Sequence, residues 1–232
     1  MTVDRSHTDA LLCVADTKLV LGNVCSAVVF NGRSIADFAT ILAIAGTSLG
    51  AARALYRILE NYGFDYVWLE RGRGKDELAV MDLLDEPPHC WSDFVVTLYL
   101  AEAAATAFIS GLTGKVDRKV DTQVGCLLRD SAFHARYCLG WVTVLAKEER
   151  DDLARAIERR VPLAQRWLSC AGDAEKQAFG EALDKLTNAA SLTVSVAALP
   201  RPEGWDTGRK RAGQIPPSLW EIVRFKDAEL VS

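Results

Sequence analysis

The sequence predicts an all-α helical bundle, and three observations lead to that prediction. Apolar runs of helical length, such as the uncharged residues 38–52, are separated by short polar segments rich in Gly, Pro and Asn. Residues that favour helix starts precede several runs, as Ser34 does with Asp37 three positions later. Almost no segment shows the alternation of apolar and polar residues that is typical of strands.

Each helix is predicted from its own boundary signals. The second should end near Glu60 because Asn61 and Gly63 follow it, and the third should be capped by Ser92. Pro162 is expected to interrupt the fifth. The predicted helices cover residues 10–30, 34–60, 76–84, 93–112, 115–147, 148–170 and 174–190.

One domain is predicted over residues 1–232, with a loose leader at 1–9 and a carboxy-terminal arm at 191–232. The arm holds four of the seven prolines, and within it only residues 218–225 have the composition of a helical turn or two. We expect the arm to pack on the bundle or on a partner.

Composition narrows the functional classes. The net charge of -4 and the pI near 5.5, with acids and bases interspersed, argue against a nucleic-acid surface. The six cysteines include no Cys-x-x-Cys pair, which argues against a zinc knuckle or a redox dithiol. The amino terminus lacks the pattern of a signal peptide, and residues 38–52 are too short to span a bilayer. A cytoplasmic protein with reduced thiols and no membrane segment is therefore expected.

The candidate site lies on the fourth predicted helix, where Asp130 and His134 stand four residues apart and project from one face. Cys126 and Cys138 continue the same interval. With Glu102 on the third helix, Asp130 and His134 make at most three protein ligands for a metal. A di-iron site needs two helical Glu-x-x-His pairs and two further Glu residues, and three histidines in the whole chain do not supply them. The favoured interpretation is an Asp130–His134 hydrogen bond that satisfies a buried imidazole, with no catalytic residue and no bound metal.

Two nucleophiles are weaker candidates. Ser48 lies in a Gly-x-Ser-x-Gly string, and Asp130 and His134 follow it in the order found in α/β hydrolases. That elbow requires a strand before the Ser and a sheet around it, which the rest of the chain does not provide. Cys138 lies one turn beyond His134, but a Cys on an apolar helix is usually a packing residue.

Several segments together resemble the phenylacetic acid catabolic protein family, the ferritin-like subunits of the multicomponent phenylacetyl-CoA epoxidase. Residues 16–21 (Asp-Thr-Lys-Leu-Val-Leu) resemble its first helix, and residues 49–53 (Leu-Gly-Ala-Ala-Arg) resemble a Leu-Gly-Gln-Ala-Arg in its second. Residues 83–87 (Leu-Leu-Asp-Glu-Pro) resemble its Leu-Leu-x-Glu-x-Pro connection only loosely, and residues 207–210 (Thr-Gly-Arg-Lys) resemble the Gly/Lys-rich turn of its tail. Residues 130–134, followed by Gly140-Trp141, are similar to the Glu-x-x-Tyr-His and Gly-Trp of the non-catalytic companion subunit.

Departures from the family pattern indicate a chain without oxygen chemistry of its own. Ala43 and Thr47 stand where the family commonly has Asn and Asp, and Asp130 replaces a Glu. Residues 214–216 (Gln-Ile-Pro) replace a His-Thr-Glu in the tail. The resemblance therefore implies a ferritin-like four-helix bundle with additional C-terminal helices. It further implies a structural subunit, without a cofactor of its own, that supports a catalytic di-iron subunit in an acyl-CoA oxygenase or epoxidase.

Two alternatives stay open at this point. One is a free-standing oxygenase with an atypical metal site built from Glu102, Asp130 and His134. The other is a homo-oligomeric helical binding module without an oxygenase partner.

Overall fold

The computed structural model describes residues 5–74, 77–114, 118–169 and 171–193, and it is helical throughout these ranges apart from turns and loops. Two short irregular helices lie in the connection between α2 and α3: a π-helical turn at Trp68–Gly72 and a 3₁₀ turn at Asp82–Leu84. The α-helices are α1 (Arg5–Val28), α2 (Ile35–Glu60), α3 (Trp91–Ser110), α4 (Arg118–Glu148), α5 (Arg150–Leu168) and α6 (Asp173–Ala190).

The first four α-helices form a closed bundle. α1 packs along α2, α3 packs along α4, and contacts of α1 with α3 and of α2 with α4 complete the arrangement. α5 and α6 cover α3 and α4 from the other side, so that α3 is the most enclosed helix. The predicted all-α class with additional C-terminal helices is confirmed.

The predicted boundaries of α2 are confirmed. The hydroxyl of Ser34 accepts a hydrogen bond from the backbone N–H of Asp37 at 3.1 Å, which satisfies one of the free donors of the first turn. After Glu60, Gly63 has a φ of +88°, a left-handed conformation that glycine adopts at little cost. These local signals were readable from sequence because each acts within a few residues.

The predicted loose leader is wrong for residues 5–9, which form the first turns of α1. Thr8 is buried, so this end of the helix is fixed by packing that the polar sequence did not reveal. The predicted cap of α3 is also wrong. Cys90 is the N-cap, and Ser92 lies inside the helix, where its hydroxyl donates to Glu149 at 3.2 Å.

The helix predicted at residues 76–84 is replaced by the 3₁₀ turn at Asp82–Leu84. The backbone of this connection is held by hydrogen bonds from side chains of the bundle, and not by the backbone hydrogen bonds of a helix. Arg160 on α5 donates from Nη1 to the carbonyl of Leu83 at 3.0 Å and pairs with Asp93 through Nη2 at 2.7 Å. The carboxylate of Asp93 also accepts from the backbone N–H of His89 at 2.9 Å.

Pro162 does not interrupt α5, which runs unbroken from Arg150 to Leu168 with Pro162 buried against the core. Tertiary packing therefore outweighs the hydrogen bond that proline removes. α6 ends at Ser191 in a left-handed conformation with a φ of 51°. The predicted arm lies outside the described residues from 194 onward.

Three helices, α1, α2 and α3, are long and apolar enough to cross a membrane by length and composition. The expectation that the chain has no such segment rested on the short uncharged run at 38–52, whereas α2 continues to 26 residues. In α1 and α3 the most apolar windows are 72% and 83% buried inside the bundle, but in α2 the share is only 39%. α2 therefore presents an apolar face outside the core.

Candidate functional site

Polar side chains from four helices meet in the otherwise apolar bundle, four of them buried and one, Thr47, exposed at its edge. We call this cluster the polar centre; it comprises Lys18, Thr47, Glu102, Ser131 and His134. Lys18 on α1 donates from Nζ to Oε2 of Glu102 on α3 at 2.5 Å and to Oγ of Ser131 on α4 at 3.2 Å. His134 on α4 joins Glu102 to Thr47 on α2, with 2.9 Å on each side of the ring.

Glu102 is the hub of the polar centre. Its side chain is 1% exposed, and its two oxygens contact two different partners, the Lys18 ammonium and Nδ1 of His134. Burial by itself would raise the pKa of Glu102. The positive charge of Lys18 and the hydrogen bond from His134 outweigh burial, and they lower the pKa from 4.5 to about 2. Glu102 is therefore an ionised acceptor, not a proton donor, at neutral pH.

The hydrogen bonds of His134 engage both ring nitrogens. A carboxylate only accepts, so Nδ1 carries a proton toward Glu102. Nε2 faces the hydroxyl of Thr47, accepting from it in the neutral ring and donating to it in the imidazolium. In either state no ring nitrogen points to a vacant coordination position.

Asp130 does not belong to the polar centre, and the predicted Asp130–His134 hydrogen bond is wrong. Asp130 is exposed, whereas His134 is 1% exposed and bonded to Glu102 and Thr47. An interval of four residues turns an α-helix about 40° beyond one full turn. The predicted series therefore winds off the buried face of α4: Cys126 and Asp130 lie outside, and His134 and Cys138 lie inside.

The buried stripe of α4 instead alternates intervals of three and four. Leu127, Ser131, His134 and Cys138 follow this spacing, which is typical of a helix facing a bundle core. Ser131, and not Asp130, is thus the residue of α4 that accompanies His134 into the polar centre. This buried stripe can be predicted from the sequence, because its residues follow the heptad spacing of a core-facing helix.

Lys18, like Ser131, belongs to the polar centre but was not among the site residues predicted from the sequence. Asp16 and Lys18 are the charged residues of the apolar run at 10–32, and both are buried in the structure. A lone lysine inside an apolar helix is a usable signal, because such residues are almost never fully buried without a partner. What the sequence could not supply was the partner, Glu102, which lies 84 positions away.

A second buried ion pair fixes the position of α1 near Lys18. Asp16 accepts from Nη1 of Arg73 at 2.7 Å, from the hydroxyl of Tyr56 at 2.6 Å and from the backbone N–H of Ala79 at 2.7 Å. Burial raises the pKa of Tyr56, as does the neighbouring Asp16 carboxylate. This set joins α1 to α2 and to the connection that follows α2, and so fixes the register of Lys18.

A third cluster closes the same bundle near the start of α2. Asp37 accepts at Oδ1 from the hydroxyl of Tyr137 and from the indole N–H of Trp141, each at 2.8 Å. Burial would raise the pKa of Asp37, but these bonds and those from Ser34 lower it below its ordinary value. α2 and α4 are thereby tied together about three turns before Thr47 on α2 and one to two turns after His134 on α4.

The donor set of the polar centre does not fit a di-iron cluster. In carboxylate di-iron bundles two helices supply one Glu each, and two supply a Glu-x-x-His pair. Here α1 supplies Lys18, and α4 supplies Ser131 three residues before His134. Within the described part of the chain, no group of three or more His, Cys, Asp or Glu side chains is arranged to hold a metal. The Lys18 ammonium would also repel a cation placed beside Glu102.

The two nucleophile candidates are not supported by their surroundings. Ser48 lies inside the continuous helix α2 with no strand before it, so the hydrolase-elbow interpretation is wrong. Its hydroxyl is fully buried and lacks a hydrogen-bond partner among the described residues. Burial also raises the pKa of the Cys138 thiol well above its ordinary value, assisted by the nearby charge of Glu102. A thiol in that state is a poor nucleophile.

Large apolar side chains are exposed on α2 and on the segments next to it. Phe30 and Ile35 are each 85% exposed, Leu42 on α2 is 51% exposed and Phe133 on α4 is 53% exposed. Gly46 on α2 also faces open space. We call these residues the α2 face. A surface of this kind is typical of a protein contact.

In a comparison with protein-family models, residues 2–197 match the model described as phenylacetic acid catabolic protein. The matched range includes every residue of the polar centre and all six α-helices. No curated protein sequence matches the chain significantly.

Proposed function

The chain belongs to the phenylacetic acid catabolic protein family, and on this premise we propose that it is a non-catalytic structural subunit of a multicomponent di-iron acyl-CoA oxygenase or epoxidase. In this proposal a separate catalytic subunit holds the metal, and this chain supports it in a cytoplasmic assembly. The observation that carries the proposal is the ion pair between Lys18 and Glu102 in the middle of the bundle.

The ion pair gives the bundle a stable interior without a metal. A carboxylate buried alone would be costly, because the interior solvates charge poorly. Lys18 supplies the compensating positive charge to Glu102, and Ser131 and His134 complete the hydrogen bonds around the pair. A cluster satisfied by its own side chains needs no ion and keeps the fold of a ferritin-like subunit.

The α2 face supports a role within an assembly. Ile35 and Leu42 are large apolar residues in a helix whose other side already packs on α1. When another protein covers exposed side chains of this size, the burial stabilises the complex by about 25 cal/mol per Å² of apolar surface. Gly46 of this face directly precedes Thr47 in α2, so a partner that covers this part of the face would lie next to Thr47 of the polar centre.

The test is the metal content of the purified chain, alone and in complex with its cognate catalytic subunit. We expect background iron in the chain alone and iron in the complex that is proportional to the catalytic subunit. A full di-iron complement for each copy of this chain would overturn the proposal. The complex made with His134→Ala is the matched control, because the iron content of the complex should not depend on this residue.

The same samples separate the two alternatives that the sequence left open. A free-standing metalloenzyme predicts stoichiometric metal in the chain alone, lost in His134→Ala. A homo-oligomeric binding module predicts a symmetric oligomer by sedimentation that ignores the catalytic subunit.

A further inference from the structure

A cleft of about 490 Å³ lies beside the C-terminal half of α2. We call it the arginine cleft. Its walls come from α2 and from the segment around the π-helical turn at Trp68–Gly72, and it is lined by Arg53, Arg57, Tyr66, Val67, Glu70 and Arg71. Three arginines thus line the cleft together with one carboxylate, an excess of positive charge on a chain whose net charge is -4.

Contacts inside the arginine cleft hold two of its arginines in place. Arg53 donates from Nε to Oε1 of Glu70 at 2.8 Å, and the guanidinium carbon of Arg57 lies 4.4 Å from the centre of the Tyr66 ring. Burial would raise the pKa of Glu70, but hydrogen bonds from Tyr66 and Arg53 lower it below its ordinary value. Glu70 is therefore ionised at neutral pH, and it offsets one positive charge of the lining. The next acid along α2, Glu60, does not line the cleft.

The arginines keep donors for a further acceptor. A guanidinium group has five N–H donors, and the contact with Glu70 uses only Nε of Arg53. The side chain of Arg53 is 65% exposed, so its other donors are accessible from solvent. Carboxylates are the protein groups that bind a guanidinium most strongly.

The arginine cleft continues the α2 face along the same side of α2. Four exposed residues of this helix follow one another at intervals of four, seven and four, which keep side chains on one side of a helix. They are Leu42, Gly46, Arg53 and Arg57. At about 1.5 Å per residue, this side is about 22 Å long. It is apolar in the first half of α2 and positively charged near its end.

The order of apolar and charged residues decides which occupant fits this surface. A small anion would use the arginines alone and would leave Leu42 exposed. An anionic lipid surface presents negative charge along its whole extent, whereas the lysines and arginines of α2 are confined to Arg53 and Arg57 near one end. A helix of another protein matches a straight surface of this length, and its sequence can place apolar and acidic residues in the required order.

We propose that α2 docks a helix of the catalytic subunit, with apolar residues of that helix against Leu42 and with aspartates or glutamates against Arg53 and Arg57. This inference rests on the proposed function, because the partner is the catalytic subunit of the proposed assembly. Opposite charges at one end of the contact speed the encounter of the two subunits and fix the register of the two helices. The apolar half supplies buried area, which salt does not screen.

The test measures the dissociation constant of the complex between the full chain and its cognate catalytic subunit, by sedimentation at about 50 mM and about 500 mM salt. We expect Arg53→Glu/Arg57→Glu to raise the dissociation constant at low salt by about tenfold and to remove most of its salt dependence. Both side chains are exposed, so the thermal stability of this variant should stay close to that of the unmodified protein. The matched control, Arg155→Glu/Lys185→Glu, makes the same change of charge on α5 and α6 and should have little effect.

Hydrogen exchange in the complex identifies the partner segment. We expect protection within residues 42–57 of this chain and in one helix of the catalytic subunit that contains Asp or Glu. If the two double variants lose affinity equally, or the protected partner segment lacks acidic residues, this inference is wrong while the proposed function stands. If the unmodified chain forms no complex, both are wrong.

Two further measurements check the other occupants. Vesicles of phosphatidylcholine and phosphatidylglycerol should not bind the chain, and binding that Arg53→Glu/Arg57→Glu abolishes would assign the surface to a membrane. Sedimentation of the chain alone should show no self-association that depends on these arginines. Self-association lost in the same variant would assign the surface to a second copy. Either result would overturn the inference.

Discussion

The ammonium of Lys18 on α1 lies 2.5 Å from Oε2 of Glu102 on α3, and both side chains are almost completely removed from water. Burial of two such charges costs desolvation free energy, and their mutual attraction offsets this cost only while both charges are present. Removal of one partner leaves an uncompensated charge in the core. The pair therefore makes the stability of the bundle depend on two residues at its centre, and several measurements follow from that dependence.

Lys18→Met should lower the free energy of unfolding by about 3–5 kcal/mol, because Glu102 then remains ionised and unpaired by a cation. Urea denaturation at neutral pH measures the loss, and Lys147→Met, at an exposed position of α4, should change it by less than about 0.5 kcal/mol. The double change Lys18→Met/Glu102→Gln should recover part of the loss. Strictly additive losses in this double-mutant cycle would contradict a coupled pair.

Stability should fall in acid. The pKa of Glu102 and that of Asp93 are both lowered to about 2, by Lys18 and His134 for Glu102 and by Arg160 and Arg159 for Asp93. A carboxylate with a lowered pKa in the folded state contributes its full stability above the unfolded value, near 4. It loses that contribution as the pH falls through the folded value. The free energy of unfolding should therefore decline between about pH 4.5 and about pH 2.

The acid dependence can be assigned with one variant. Glu102→Gln carries no titrating carboxyl at the polar centre, so its stability should change less steeply over the same pH range. Asp152→Asn, an exposed residue of α5, should keep the slope of the unmodified protein. Identical slopes for Glu102→Gln and the unmodified protein would exclude Glu102 as a contributor.

Arg73→Met should release the connection between α2 and α3. Arg73 pairs with the buried Asp16 and also donates to the carbonyl of Leu69 at 3.0 Å, so its loss costs a buried ion pair and backbone support. Limited proteolysis should show faster cleavage between residues 62 and 90. Arg53→Met is the control, because its ion pair with Glu70 is largely exposed at the arginine and contributes little. Unchanged cleavage in Arg73→Met would show that the pair does not hold this segment.

Cysteine labelling should follow burial. Cys25 and Cys138 are fully buried, and burial raises the pKa of both thiols above the ordinary value, whereas Cys90 and Cys126 are exposed. Iodoacetamide at pH 8, followed by peptide mapping, should modify the exposed pair in the native protein and the buried pair only after unfolding. Native modification of Cys138 at a rate comparable to that of Cys126 would contradict the packing of α4.

Charges on the α2 face should weaken assembly without unfolding the chain. Leu42→Asp and Phe133→Asp replace exposed apolar side chains, so their thermal stability should stay close to that of the unmodified protein. Their affinity for the catalytic subunit of the proposed assembly should fall, as measured by co-purification and sedimentation. Asn188→Asp on α6 tests for a nonspecific effect of charge, because α6 lies away from α2. An unchanged affinity for both face variants would place the contact elsewhere.

The sequence by itself determined the helical class, most helix boundaries and two of the central residues, Glu102 and His134. Caps, glycines and apolar spacing act over a few positions, so they can be read along the chain. Tertiary structure alone decided what those two residues do. Lys18 and Glu102 are far apart in sequence but in contact in the bundle. Asp130 and Ser131 are consecutive, but the helix turns about 100° from one residue to the next, so that Asp130 is exposed to solvent and Ser131 is buried in the core. The polar centre is thus a property of how four helices are packed, because partners and facing directions exist only in three dimensions.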